Sequence, residues 1–315
     1  MFNVEVHATS HIGRVRKGNE DNYLLLAISA AKAWTGSQSD GEFVIESQSF
    51  AVDEGGVVMA VSDGMGGALA GEVASTMAVE TISLKLLEAH EEPHRPSANE
   101  HYLIQKLHEA TVFANQMIHQ QGRSDPQFQG MGATFTGIAV TPSAADIIQV
   151  GDSRAYLVRN GEIYQVTKDQ SLVQQLIDAN QISEAEAEKH TLKNVILQAL
   201  GAQTEIYPVS SRIEPRQGDV FILCSDGLSN KVGAGEMRDV VMANFDQLQN
   251  ACAELVKKAN LNGGEDNITV VIAKLFGDSL KEATPGDLRM ELIDIDGIHD
   301  TADQDVTETD TSEQP

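Results

Sequence analysis

Cysteine is scarce: Cys224 and Cys252 are the only two in 315 residues. Two thiols cannot build the disulfide framework of a small secreted fold, so a reducing compartment is implied. No apolar run approaches the roughly 18 residues a membrane-spanning helix needs. The first residues, Met-Phe-Asn-Val-Glu-Val-His, lack the basic and then apolar segments of a secretory leader. A cytoplasmic protein is expected. Positive charge is also short, with 22 Lys and Arg against 47 Asp and Glu, a net of −25. Such a surface repels nucleic acid and anionic lipid, which removes both as expected partners. There is no His-Glu-x-x-His or Cys-x-x-Cys pair for zinc. Asp63-Gly64-Met65-Gly66-Gly67 lacks the Lys-Ser/Thr of a phosphate-binding P-loop, and no Gly-x-Ser-x-Gly elbow occurs. No repeat of solenoid length is visible.

What is present is enough chain for a sizeable core, 41% hydrophobic. Segments 4–7, 23–28 and 57–62 read as strands, the last a compact apolar run ending at Asp63-Gly64. The stretch 31–56 reads as an insertion loop holding one short strand at 42–45. Helical periods follow over 72–89 and 99–121, separated by Pro93 and Pro96. Strands are predicted over 133–140, 146–150, 155–159 and 162–166, the last two joined by an Asn160-Gly161 hairpin turn. Two short helices, 171–180 and 183–190, come next, the second capped by Ser183. Strands 209–213 and 220–224, helices 235–244 and 246–260, and a closing strand 268–275 complete the order. This is α+β, with antiparallel sheets and helices on their outer faces. Residues 1–277 form the expected domain. The remainder, 278–315, reads as a disordered acidic tail, with eleven acids and two bases from 281 onward.

Acids recur where apolar strands meet glycine or asparagine: Glu20-Asp21-Asn22, Ser62-Asp63-Gly64, Gly151-Asp152-Ser153, Ser225-Asp226-Gly227 and Glu265-Asp266-Asn267. Any one of these is an ordinary turn. Repeated at strand ends, they suggest carboxylates gathered around hard divalent cations, which take oxygen ligands. Cys224, inside an apolar run, reads as packing rather than as a reactive thiol. His11, His90, His94 and His101 read as exposed or structural.

These segments, in this order, resemble the bacterial form of the metal-dependent serine/threonine protein phosphatases of type 2C. The resemblance is carried by Arg14-Val-Arg16-Lys-Gly-Asn19-Glu20-Asp21-Asn22, Asp63-Gly64-Met-Gly-Gly67 with Gly71-Glu72, and Gly130-Met-Gly132-Ala-Thr134. It continues through Gly151-Asp152-Ser153-Arg154, Asp169-Gln-Ser171, Asn194 to Gly201, Ser225-Asp226-Gly227-Leu228 and Asp266-Asn267-Ile-Thr-Val270. It covers about residues 5 to 276.

The resemblance implies an antiparallel β-sandwich flanked by pairs of α-helices, in four layers α-β-β-α. It implies two Mg²⁺ or Mn²⁺ ions in one site, and a third, weaker one. Asp63 would bridge the pair, Asp226 and Asp266 would complete one ion, and the Gly64 carbonyl would ligate the other. Asp21 would hold ion-bound waters, and Asp152 with Asp226 would form the third site. Arg16, Asp21 and Asp63 are thereby the catalytic candidates. A hydroxide bridging two cations would attack the phosphorus of a phosphoserine or phosphothreonine ester, and Arg16 would bind phosphoryl oxygens through its planar fork. A metal-bound water is the expected acid for the leaving alkoxide, since Met65 stands where a histidine has been considered for that role in animal relatives. The implied partners are phosphorylated proteins, substrates of a bacterial serine/threonine kinase. The pattern departs at Gln170, where histidine is usual, and at Gln198, where arginine is usual. Both lie in the family's mobile flap, which faces substrate. Two other readings are a small-molecule phosphomonoesterase and a catalytically silent binding module.

Overall fold

A computed structural model describes residues 1–36, 44–92 and 101–295. Its centre is two stacked antiparallel sheets. The first contains β1 (Phe2–His11), β4 (Glu46–Val52), β9 (Arg154–Arg159), β10 (Glu162–Gln165), β12 (Val220–Cys224) and β13 (Ile268–Phe276). Their order is β10-β9-β12-β13-β1-β4. The second contains β2 (Asp21–Ala27), β3 (Lys32–Thr35), β5 (Val57–Met65), β7 (Phe135–Val140), β8 (Ala145–Val150), β11 (Val209–Ile213) and β14 (Met290–Ile293). Its order is β14-β11-β8-β7-β5-β2-β3, and β6 (Gly132–Ala133) pairs with the end of β5.

The central strands are apolar on both faces because both are covered. In β5, Val57, Met59 and Val61 point between the sheets, while Val58 and Ala60 pack under helices. Those helices are α1 (Ala68–Glu91) and α2 (Tyr102–Ser124), which bury Ala74, Ala78, Ile82, Ile104 and Leu107 on the second sheet. Two helix pairs remain. The segment after β10 holds α3 (Leu172–Asp178) and α4 (Glu184–Ala187), the latter opened by a Ser183–Glu186 capping box. On the far face of the first sheet, the short α5 (Asp226–Ser229) leads into α6 (Ala234–Ala243) and α7 (Leu248–Leu261). They cover Val158, Ile222, Cys224 and Ile272 with Met237, Cys252 and Leu255. Both cysteines are buried. The order is helix, sheet, sheet, helix, as expected. No helix among the described residues is long and apolar enough to cross a membrane.

Two expectations are corrected. The stretch 31–56 is more than a loop: β3 extends the second sheet beside β2, and β4 extends the first beside β1. The strand expected at 42–45 falls partly outside the described residues, and the strand that forms begins at Glu46. Residues 278–295 belong to the fold rather than to an acidic tail. Met290–Ile293 pairs with β11, and Ile295 is buried in the helix-side core. Leu280 and Leu288 pack against the core between the sheets. The rest of the expected tail, 296–315, lies outside the described residues, as do Pro93, His94, Pro96 and the first residues of the helix expected from 99.

An ion-pair network fastens that segment. Arg159, its side chain 3% exposed, makes two bonds to the fully buried Asp219, at 2.8 and 2.7 Å. It also reaches Asp287 at 3.4 Å, and Arg216 holds the other Asp287 oxygen at 3.1 Å. Removing one member of a buried pair leaves the other charge uncompensated, which costs about 3–5 kcal/mol. Arg159→Ala is therefore expected to lower unfolding free energy by that amount in urea titration. A loss below 1 kcal/mol would mean Asp219 finds another partner.

Candidate metal centre

Strand register brings the acids to one end of the sandwich. Asp21 opens β2 directly opposite Asp63, near the end of β5. In the other sheet, Cys224 ends β12 opposite Val270 near the start of β13, so Asp226 and Asp266 leave at the same end. Cys224 also pairs with Arg154 at the start of β9, which places the β8–β9 turn and Asp152 beside them. Antiparallel pairing thus gathers five segments that are far apart in the chain.

A hydroxyl network sets the depth of the site. Asp21 is 1% exposed, and one of its oxygens accepts from Ser225 Oγ at 2.7 Å and Thr269 Oγ1 at 2.8 Å. The Thr269 amide donates to Ser225 Oγ at 3.0 Å, and Ser10 bridges Thr269 to Asn19 through 2.7 Å bonds. Asp63 is fixed through its backbone, its amide donating to Thr134 Oγ1 at 2.9 Å and its carbonyl accepting from the Thr134 amide at 2.8 Å. Thr134 Oγ1 also meets Ser153 Oγ at 2.7 Å, next to Asp152. Asn267 accepts from the Glu20 amide at 2.8 Å and donates to the carbonyls of Ile12 and Gly18, holding the loop that carries Arg16. Ser10, Asn19, Thr134, Ser225, Asn267 and Thr269 thus orient the acids. Several stand inside the recurrent motifs, yet a hydroxyl or amide residue in a sequence carries no mark of its partner.

The acids load one another. Burial, then the charges of Asp226 and Asp266, push the Asp21 carboxyl up to about 7, against the pull of its two hydroxyl donors. Asp63 is pushed well above the carboxylate range by burial and by Asp21, Asp226, Asp152 and Asp266. Asp152 rises to about 7 through burial, Asp226 and Asp169. Asp226 rises to about 6 through burial and Asp266, with Arg16 acting against them. Carboxyls that raise each other's proton affinity also favour any other cation placed among them.

Every candidate residue falls in this recess. Arg16 donates to Asp266 at 2.9 Å and to Glu20 at 3.2 Å. Gly64 follows Asp63, its amide bonded to the Glu20 carbonyl at 3.1 Å. Asp152 and Asp226 line a cleft of about 590 Å³ together with Ser171, Gln174, Lys193 and Asn194. Arg154 clasps Asp169 through three bonds of 2.7 to 3.1 Å, and Gln170 accepts from the Gly151 amide at 2.8 Å, so segment 169–198 is tied to the Asp152 turn. The donor set is oxygen throughout, which suits Mg²⁺ or Mn²⁺. Among the described residues, no three acidic, histidine or cysteine side chains close on one point by themselves. A cation here needs backbone carbonyl or solvent oxygens as well.

Comparison with known proteins agrees with this fold. The chain is 35% identical over 249 residues to the serine/threonine protein phosphatase PstP of Mycobacterium tuberculosis, covering 79% of this chain and 46% of that one. It therefore spans about half the length of that relative. It is 37% identical over 227 residues to the protein phosphatase PhpP of Streptococcus pneumoniae, covering 70% of this chain and 87% of that one. The solved catalytic domain of PstP in complex with two manganese ions superposes with a TM-score of 0.66 at 30% identity, over 88% of this chain and all of that one. Residues 43–263 match the family pattern described as protein phosphatase 2C, and by that match and these likenesses the chain belongs to the protein phosphatase 2C family.

Proposed function

We propose that this chain hydrolyses phosphoserine and phosphothreonine esters in proteins, using two Mg²⁺ or Mn²⁺ ions. The observation that carries the reading is the gathering of Asp21, Asp63, Asp152, Asp226 and Asp266 from five segments, each of the first four with raised proton affinity. Asp63 would be shared by both ions, with Asp226 and Asp266 serving one and the Gly64 carbonyl the other. Asp21 would orient the solvent, and Asp152 with Asp226 would hold a third, weaker ion. When bound, such ions lower the pKa of water toward neutrality and neutralise developing phosphoryl charge.

The remaining chemistry falls to the chain. Arg16 keeps a side chain 43% exposed at the rim, where its fork can meet phosphoryl oxygens. Asp21 is fixed by Ser225 and Thr269, so its free oxygen has one direction in which to hold solvent. Met65 offers no proton, so the leaving alkoxide takes one from solvent. Relatives named serine/threonine protein phosphatase and protein phosphatase support phosphoproteins as the substrate class. A bacterial serine/threonine kinase would then be the source of those phosphates. Composition supports a cytoplasmic setting. Mn²⁺ is expected to switch on release of phosphate from a phosphothreonine peptide, and chelation is expected to abolish it reversibly. Equal turnover with and without chelator would end this reading.

A further inference from the structure

Glu20 has no role in the cation set proposed above, yet the fold makes unusual room for it. Its side chain is 7% exposed, on a chain whose other acids are mostly at the surface. The room comes from two glycines. A Cβ on Gly71 would lie 2.1 Å from Glu20 Oε2, and one on Gly64 would lie 2.1 Å from the Gly71 carbonyl and 2.6 Å from that of Glu20. No side chain fits at either position without displacing backbone or the carboxylate. Both ends of the residue are pinned, the amide on Asn267 and the carbonyl under the Gly64 amide. Its carboxylate meets Arg16, one helical spacing earlier, on a loop whose neighbour Val15 is 63% exposed. Asp266, the other partner of Arg16, has a side chain 38% exposed and stands among the proposed cation ligands.

The geometry points to Glu20 as the positioning residue for Arg16: a fold-anchored carboxylate that holds one edge of the guanidinium and aims its remaining donors at the phosphoryl group. A long, half-exposed arginine on a loop otherwise spends rotamer freedom each time it meets phosphate. An anchor already in place removes that cost. Arg16 has five N–H donors and uses two, on Glu20 and Asp266, which leaves three for phosphate. This role rests on the phosphatase reading for its consequence in turnover, but the anchoring itself is measurable as binding of an oxyanion.

The test uses the full chain, loaded with Mn²⁺ except where Mn²⁺ itself is titrated, and five proteins: the parent, Glu20→Ala, Glu20→Gln, Arg16→Ala and the Glu20→Ala/Arg16→Ala double variant. Calorimetry with inorganic phosphate gives affinity, calorimetry with Mn²⁺ gives ion binding, and a phosphothreonine peptide gives KM and kcat. Glu20→Ala is expected to weaken phosphate binding and raise KM about tenfold while Mn²⁺ affinity changes less than twofold. In the Arg16→Ala background the same substitution is expected to change phosphate binding less than twofold. Glu20→Gln, which keeps the volume and one acceptor, is expected to recover at least a third of the lost affinity, and it serves as the comparison if Glu20→Ala does not fold. Independent, multiplicative losses in the double variant would overturn the assignment, as would a fall in Mn²⁺ affinity matching the fall in phosphate affinity. Phosphate binding that obeys this cycle in a chain without peptide turnover would sink the phosphatase reading and leave the anchoring intact.

Discussion

Asp63→Asn is expected to cut kcat/KM on a phosphothreonine peptide by about 10³-fold or more, while making the chelated chain harder to melt. The first effect follows from position. Asp63 sits opposite Asp21 and feels the charges of Asp226, Asp152 and Asp266, so on the proposed reading it is the acid that would serve more than one cation. On the proposed two-ion reading, loss of a ligand common to both ions would remove both activation of the attacking water and neutralisation of phosphoryl charge, each worth several kcal/mol at the transition state. The second effect follows from repulsion. Without cations the recess gathers like charges out of water, and asparagine relieves it at almost the same volume. Thermal midpoint is expected to rise by about 2–4 °C for each kcal/mol relieved. Misfolding would lower both activity and melting temperature, so opposite directions identify a site strained for function. A variant that keeps more than a tenth of parental turnover would remove Asp63 from the cation set.

Much of this arrangement was readable from the residues because the two sheets are covered on both faces. Strands such as Val57–Met65 and Val220–Cys224 then carry apolar runs, 57–61 and 220–224, each followed two residues later by an acid next to glycine. Edge strands carry no such run. Lys32–Thr35 is mostly exposed, Glu46–Val52 buries only Phe50 and Val52, and Met290–Ile293 lies in an acidic stretch with one partly buried residue. Their pairing is set by a neighbouring strand, which periodicity does not contain. The five acids stand out by the same rule, as carboxylates at the ends of buried strands, while their proposed roles as ligands rest on the family resemblance. The hydroxyls of Thr134, Ser225 and Thr269 were not, because their function lies in partners 71, 204 and 248 residues away. Segment 278–289 was missed for a related reason. Its anchor is Asp287 on Arg159, a contact across 128 residues in a stretch whose composition matches disorder.

The chelated chain is expected to lose stability as pH rises from about 4 to about 7, on the order of several kcal/mol, and Mn²⁺ is expected to cancel that loss. In the unfolded chain these carboxyls give up their protons near pH 4. Folded, Asp226 holds its proton to about 6 and Asp21 and Asp152 to about 7, with Asp63 raised well above the usual range. Between those limits the native state binds more protons than the unfolded one, so each step up in pH favours unfolding. The protons leave the cluster as a set, so the slope belongs to the four together and not to any one. Carboxyls held below the ordinary range work the other way: Glu214, at about 2 beside Arg216 and Lys281, contributes above about pH 4.5 and is lost only as pH falls. It shapes the acid limb. Between pH 4 and 7, Asp219 and Glu20, raised by burial, add to the slope of the recess, while His11, lowered by burial, acts against it. A divalent ion takes the place of the protons, and at a hundredfold excess over its Kd it adds about 3 kcal/mol. Urea titrations at pH 5, 6 and 7, with chelator and then with Mn²⁺, read both effects, and Asp63→Asn is expected to flatten the chelated slope. A chelated chain whose urea midpoint stays level or climbs across that range would show that these carboxylates are not crowded together out of water, and the cation centre would lose its physical basis.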